Sequence, residues 1–364
     1  VQLRFKPIEL ALVDPWEIAN APLTRTQTVV VLCLRDRDGV VGWGEAAPSV
    51  RYSEDVPAVL EFLSRVDPQR LSFTDLEGSR LYLDSLGRAP SSARCALDVA
   101  LWDGAARRAG RALYDFWGLG FQEGRHVSSF TLGMDRPEVM RTKAGAAAGW
   151  PILKVKLGGP NDRAILAAVR AEAPQARIRV DANEGWRSKE QALRELEWLA
   201  ADPGIEFVEQ PMPAGLPMAD WMWLKERSPL PIFADESCQT VADVPRCAEA
   251  FHGVNVKLVK AGGLTGARSV LEAARRHGLR TMLGCMIETS VLISAGAHLA
   301  ALCDFLDLDG NLLIRDDPFV GVTQEAGWLS FAHSPERVGL RVRPRPGTPF
   351  AEWINGSPTL RVTA

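Results

Sequence analysis

The chain has 364 residues, 46% hydrophobic and 24% charged, with a formal net charge of −3; this exceeds one small core and implies two domains, or a barrel with additions. The charge balance offers no basic field for nucleic acid or an anionic membrane, and no apolar run approaches the ~18 residues of a membrane span. The opening VQLRFKPIEL lacks the apolar core of a signal peptide.

Six scattered cysteines (Cys33, Cys95, Cys238, Cys247, Cys285 and Cys303) form no CxxC pair, and five histidines form no HExxH cluster. Reduced thiols and a cytoplasmic location are therefore the expectation. Any metal would be held by carboxylates, as a hard cation.

Residues 1–120 read as α+β. The run 26–35 is β-rich, Asp38-Gly39 is a hairpin signal, and VVGWGEA (40–46) is the return strand. Residues 54–118 read as helices. The clearest spans 91–110, with Ser91 or Ser92 as N-cap and Gly110 as stop. Gly42-Trp43-Gly44 opens no helix, which argues against a dinucleotide fingerprint.

From about residue 126, short apolar runs alternate with helical stretches. Eight strand candidates follow: 128–133, 152–157, 178–183, 205–210, 231–236, 254–259, 281–286 and 305–309. Such alternation argues for a parallel sheet, and eight units argue for closure into a barrel. The second to sixth candidates and the eighth carry Lys156, Asp181, Glu209, Asp235, Lys257 and Asp307 near their C-terminal ends. The intervals are 25, 28, 26, 22 and, across two units, 50 residues. One strand, one helix and two short loops fill one such interval. A single polar residue at a strand exit is commonplace, but six ionisable ones in register are not. Burying them on one face is costly unless they pair or bind a cation.

On an eight-membered ring, Asp181, Glu209 and Asp235 lie on adjacent strands and converge, which suits Mg2+. Lys156 and Lys257 lie on opposite strands and face one another. Lys154 shares the face of Lys156 by the period of two, and a second ammonium disfavours the charged form of Lys156. A proton beside a carboxylate is very weakly acidic, and its removal gives an enediolate that a divalent cation stabilises. One lysine on each face then permits racemisation or epimerisation.

These motifs resemble the enolase superfamily, in its muconate-lactonizing subgroup, and within it the dipeptide epimerases. The resemblance rests on GWGEAAP (42–48), ALDVALWDGAARRAGRALYD (96–115), LKVKLGG (153–159), VDANEGW (180–186), VEQPMP (208–213), ADES (234–237), NVKLVKAGG (255–263), GCMIET (284–289) and LDLDG (306–310). The superfamily's use of a Lys base with Mg2+ is itself a general precedent. The resemblance implies an N-terminal α+β capping domain (1–120), a modified (β/α)7β TIM-like barrel (121–320) and a C-terminal segment (321–364) returning to the cap. It implies Lys156 and Lys257 as acid/base catalysts and Asp181, Glu209 and Asp235 as Mg2+ ligands. Lys154 would assist, Lys260 would be a neighbouring non-catalytic lysine, and Asn183 and Glu236 would orient the ligands and Lys257. Thr131, Met286 and Ile287 would line the substrate site, and a homo-oligomer is an open expectation.

Asp307 and Asp309 share one face of the eighth strand, opposite the fourth, and suit the ammonium of a dipeptide. An N-acylamino acid racemase, an o-succinylbenzoate synthase and a muconate cycloisomerase are the alternatives on the same scaffold. Their substrates give the two aspartates no cationic partner. Relatives acting on Ala-Glu use a cap-loop arginine, and the equivalent position in DPWEIANAPLTR (14–25) falls near Ala21. Arg25 comes later, close to the following strand. Trp16, Ile18 and Leu23, with Asp14 and Glu17, point instead to a hydrophobic or cationic C-terminal residue. The tail RVRPRPGTPFAEWINGSPTLRVTA (341–364) receives no assignment.

Overall fold

The computed structural model describes residues 1–20 and 22–355. Ala21, where the specificity arginine of related enzymes would align, lies outside the described residues, as do 356–364. The N-terminal part is a three-stranded antiparallel sheet, β1 (Gln2–Trp16), β2 (Thr24–Arg35) and β3 (Val41–Ala46), in that order. The first strand was not foreseen: Pro7 and a mixed polar pattern hide it, yet it pairs with β2 from Gln2↔Arg35 to Ala11↔Thr26. At the β2–β3 turn Gly39 takes φ +84°, and Asp36 Oδ1 accepts from the N–H groups of Asp38 and Val40.

Strand β2 alternates between two cores. Val30, Leu32 and Leu34 pack under the cap helices α1 (Val56–Ser64), α2 (Leu76–Ser85) and α3 (Ser91–Arg108), whereas Val29, Val31 and Cys33 join the larger core shared with the barrel. A Cβ at Gly42 or Gly44 would collide with the carbonyls of Ala100 and Ala96, so those glycines let β3 lie directly on the α3 backbone. The expected serine cap of α3 is corrected. Its N-cap is Pro90, and the Glu54 carboxylate accepts from the N–H groups of both Ser91 and Ser92. That places a negative charge at the positive end of the helix dipole. Gly110, at φ +66°, ends the helix as expected.

Eight parallel strands follow: β4 (Phe130–Leu132), β5 (Ile152–Lys156), β6 (Arg177–Asp181), β7 (Ile205–Glu209), β8 (Ile232–Ala234), β9 (Gly253–Lys257), β10 (Arg280–Gly284) and β11 (Phe305–Asp307). They are hydrogen-bonded in chain order, and a bridge between Ser128 and Leu306 joins the two ends, so the expected barrel is present. The register sets the site. Lys156 pairs with Asp181 and Asp181 with Glu209, while Gly284 pairs with both Lys257 and Asp307. The charges therefore share one level, at the C-terminal strand ends where barrel enzymes do their chemistry. Below them the interior is filled by Phe207, Phe233, Met282 and Phe305, with the Arg179 guanidinium 5.0 Å from the Phe305 ring centroid.

Cap and barrel are joined by polar contacts. Asp98 of α3 accepts from the Thr265 N–H and hydroxyl at 2.9 and 2.6 Å, just beyond the helical turn that follows Lys257. The tail also acquires a structural role. Arg343–Pro344 pairs with Phe319–Val320, and the helix Pro349–Asn355 packs Phe350 and Trp353 around Trp43 of β3. No described helix is long and apolar enough to cross a membrane.

Candidate active site

Asp181 ends β6, Glu209 ends β7 and Asp235 follows β8, all fully or almost fully buried. One oxygen from each lies within 4.8 Å of the others. The chain bends sharply after the first two strands: Asn183, Glu184 and Gln210 take φ of 41°, 65° and 36°, unusual for residues with side chains. Such strain persists where the surroundings fix it. Here the Asn183 N–H donates to Asp181 Oδ1 at 3.0 Å, and Gln210 Oε1 accepts from the Asp235 N–H at 2.9 Å.

Two lysine side chains flank the acids from opposite strands. Lys156 Nζ donates to Asp181 Oδ2 at 2.6 Å and Lys257 Nζ to Asp235 Oδ2 at 2.9 Å. Strands β5 and β9 are second and sixth in the ring of eight, which sets these two amines across the cavity from one another. Lys260 donates to Asp235 Oδ1 at 2.5 Å and to the carbonyls of Asp235, Cys238 and Asn255, which fixes the Asp235 carboxylate.

Lys154 does not act on Lys156 as a bare second ammonium, as the sequence suggested. Its Nζ lies 2.8 Å from Glu209, 2.8 Å from Asp307 and 3.1 Å from Asp181, so three carboxylates offset its repulsion. Burial opposes the charge of Lys154, but Asp307, Glu209 and Asp181 outweigh it and hold the amine well above its usual range. Burial likewise opposes the charge of Lys257, and Asp235 overrides it, keeping an ammonium. Burial and the Asp181 charge push Glu209 up to about 7. Burial would raise Asp235 too, but Lys257 and Lys260 hold it well below the carboxylate range.

The acid triad fits a hard divalent cation. Its donors are all oxygens, as Mg2+ prefers. Glu209 Oε2 is buried without a well-directed hydrogen bond, the Lys154 ammonium beside it being an ion pair only. The raised Glu209 also marks a carboxylate whose charge wants a further positive partner.

Asp307 and Asp309 line the same cavity, but they are not equivalent. Asp307 already accepts from Lys154 at 2.8 Å, Ser129 Oγ at 2.7 Å and Thr131 Oγ1 at 3.3 Å. Asp309 Oδ2 accepts the Thr131 N–H at 2.6 Å, while its Oδ1 faces only the Cys285 thiol, at 3.9 Å, among the described residues. Burial and the neighbouring Asp307 push Asp309 up to about 7.

The cavity between cap and barrel measures about 110 Å³. Lys154, Lys156, Lys257, Asp235, Asn183, Glu236, Thr131, Met286, Ile287, Asp307 and Asp309 all line it, and Asp181 and Glu209 sit beneath them. The cap contributes Trp16, Ile18, Ser49, Arg51 and Tyr52. Trp16 and Ile18 were foreseen, but Leu23 is 51% exposed and Arg25 is exposed on β2, both away from the cavity. Arg51, Tyr52 and Asn255 escaped the sequence reading. Asn255 Nδ2 donates to Glu209 Oε1 at 2.7 Å, and its place two residues before Lys257 on β9 could have revealed it.

Comparison with known proteins agrees with this geometry. Residues 7–118 match the mandelate racemase / muconate lactonizing enzyme N-terminal domain, and residues 139–347 match the enolase C-terminal domain-like family. An L-Ala-D/L-amino acid epimerase of Pedosphaera parvula is 53% identical over 94% of this chain and 99% of its own length. An L-Ala-D/L-Glu epimerase of Bacteroides thetaiotaomicron is 39% identical over 92% and 86%. A dipeptide epimerase structure from Enterococcus faecalis V583, complexed with Mg and L-Leu-L-Tyr, superposes with TM-score 0.85 at 28% identity, covering 94% of this chain and 98% of that one. The chain belongs to the mandelate racemase / muconate lactonizing enzyme family of enolase-like barrels and is an isomerase of the epimerase class.

Proposed function

We propose that the chain is a Mg2+-dependent dipeptide epimerase, inverting the α-carbon of the C-terminal residue by proton transfer between Lys156 and Lys257. The observation that carries the reading is the pair of amines on opposite strands, each hydrogen-bonded to one carboxylate of a buried acid triad. Asp181, Glu209 and Asp235 would hold the ion, and when bound it would supply a Lewis acid for the substrate carboxylate and offset charge gathering on the enediolate. Lys257, held by its hydrogen bond to Asp235, would give a proton to one face of the α-carbon. Lys156, on the other side, takes the proton from the opposite face, and the roles exchange in the reverse direction. Lys260 and Asn255 keep Asp235 and Glu209 from rotating away.

Asp309 is the better candidate for the substrate ammonium, because its Oδ1 is the less engaged oxygen of the aspartate pair. An arriving ammonium favours its ionised form. Asp307, tied to Lys154, then acts mainly by orienting that lysine. N-acylated substrates would leave Asp309 unmatched, which ranks them below free dipeptides.

For the second residue's side chain, Trp16, Ile18, Ile287 and Leu313 offer an apolar wall. The Arg51 guanidinium, which also lines the cavity, is already ion-paired with Glu184 and Glu236 and so is not free to bind a glutamate. The site therefore favours a hydrophobic or cationic C-terminal residue. Steady-state kinetics on L-Ala-L-Phe, L-Ala-L-Lys, L-Ala-L-Glu and N-acetyl-L-Phe test this. The expected order of kcat/KM places Ala-Phe or Ala-Lys at least about tenfold above Ala-Glu, with N-acetyl-Phe lowest. Preference for Ala-Glu would overturn the specificity, and preference for N-acetyl-Phe would overturn the dipeptide assignment.

A further inference from the structure

The end of β1 and the residues that follow it bring Trp16 and Ile18 to the cavity, and this stretch is held to the barrel through a side chain from elsewhere in the cap. Arg51 lies in the 3-10 turn Val50–Tyr52 that follows β3. Its Nη1 donates to Glu236 Oε1 at 2.5 Å and to Glu184 Oε2 at 3.0 Å, and its Nη2 donates to the Ala19 carbonyl at 3.2 Å. One guanidinium thus touches the covering segment, the loop after β6 and the loop after β8. The planar fork of five donors suits three acceptors in different directions, which a single ammonium on a flexible stem matches poorly.

The same segment has further anchors. The Glu17 carbonyl accepts the Met134 N–H at 2.9 Å, and Asn20 Nδ2 donates to the Asn183 carbonyl at 3.1 Å. Ala19 is buried against Gly158, in the loop directly after Lys156, where an added Cβ would come within 3.2 Å of the Ala19 methyl. Glu184 is itself fixed, because its second oxygen accepts the Ala214 N–H at 2.7 Å. Glu236 also accepts from Asn183 Nδ2 at 3.4 Å. Arg51 therefore stands where the covering segment and the polar wall of the site meet.

We propose that Arg51 is a positioning residue, coupling closure of residues 17–20 to the placement of Glu236 and so shaping the subsite for the second residue's side chain. The kinetic consequence rests on the dipeptide epimerase reading, whereas the structural consequence does not. Losing this contact frees the cover, so that dipeptide binding suffers more than the proton transfer.

The test combines hydrogen–deuterium exchange of the full chain in Mg2+ with steady-state kinetics on L-Ala-L-Phe, for the parent, Arg51→Met, Arg51→Lys and Glu184→Gln. In Arg51→Met, amide exchange over residues 17–20 is expected to rise about tenfold while the barrel strands keep their protection. KM is expected to rise about tenfold with kcat falling less than about threefold. Arg51→Lys should fall between the parent and Arg51→Met, and Glu184→Gln should change both readouts in the same direction by less. Unchanged exchange over 17–20 in Arg51→Met overturns the proposal, and so does a loss confined to kcat. If Arg51→Met does not fold, Glu184→Gln decides: raised exchange over 17–20 supports the coupling and unchanged exchange overturns it. A parent that turns over no dipeptide refutes the epimerase reading alone, because the exchange comparison still decides the coupling.

Discussion

In the proposed mechanism Lys156 and Lys257 each serve one side of the substrate carbon, so inversion would need both, whereas exchange of a single stereoisomer's α-proton would need one. Lys156→Ala and Lys257→Ala are each expected to abolish epimerisation, with at most one diastereomer still exchanging its α-proton in each variant, as followed by proton NMR in deuterium oxide. Full turnover by either variant would contradict the assignment. Asn255 supports the acid triad. It holds Glu209 through a single hydrogen bond, and loss of such a supporting contact commonly weakens metal binding 10–100-fold. Asn255→Ala should raise the Mg2+ dissociation constant, measured by calorimetry, by about tenfold.

The site residues differ in how openly the sequence displays them. The acids and lysines at strand ends are legible because they recur once per βα unit and the sheet register keeps that order in space. Asn255 and Ser129 are legible in principle, each lying one strand period from a residue already singled out. Arg51 and Tyr52 are not: they come from a 3-10 turn in the cap, and their partners lie 133 and 185 positions away in the case of Arg51. No local pattern encodes a contact of that separation.

At the scale of elements, close backbone approach explains what hydrophobic pattern alone does not. The GWGEA run was readable as a strand, but its glycines acquire meaning only once α3 is seen lying across β3. Gly44→Ala would force a methyl against the Ala96 carbonyl, and overpacking of this kind costs about 1–3 kcal/mol. A lowered urea midpoint with unchanged slope would bear this out, and an unchanged midpoint would show that β3 can shift away. The start of α3 departs from the expected serine cap for a related reason. A helix N-terminus is ordinarily capped by the residue before it, whereas here Glu54, 37 positions away, supplies the acceptor. Strand β1 is hidden by the weakness of its own alternation, since pairing with β2 over Gln2–Ala11, not burial of a clean face, defines it.

Over the whole molecule, cap, barrel and tail meet at buried polar contacts that make stability depend on pH. His298, at the end of the barrel helix Ser290–Ala297, is fully buried, accepts the Tyr114 N–H on Nδ1 at 3.1 Å and stacks on the Tyr114 ring. Burial lowers its pKa from 6.5 to about 3, with the Arg341 charge acting in the same direction. The unfolded chain takes up this proton below about pH 6.5, while the folded chain stays neutral until about pH 3. The contribution of this group is therefore complete above pH 6.5 and is lost as pH falls, with a slope of up to about 1.4 kcal/mol per pH unit. Denaturant titrations between pH 4 and 7 should show that component in the parent and its removal in His298→Phe. An identical slope in both proteins would contradict it.

A buried carboxylate triad and two opposed amines are proposed to move the α-proton of a dipeptide's second residue. The most direct measurement is proton NMR of L-Ala-L-Phe with the protein and Mg2+ in deuterium oxide, against a control with the metal chelated. The expected result is loss of the phenylalanine α-proton signal together with appearance of L-Ala-D-Phe, no exchange at the alanine α-carbon, and neither change in the chelated control. Exchange at the alanine α-carbon, or turnover undiminished by chelation, would contradict it.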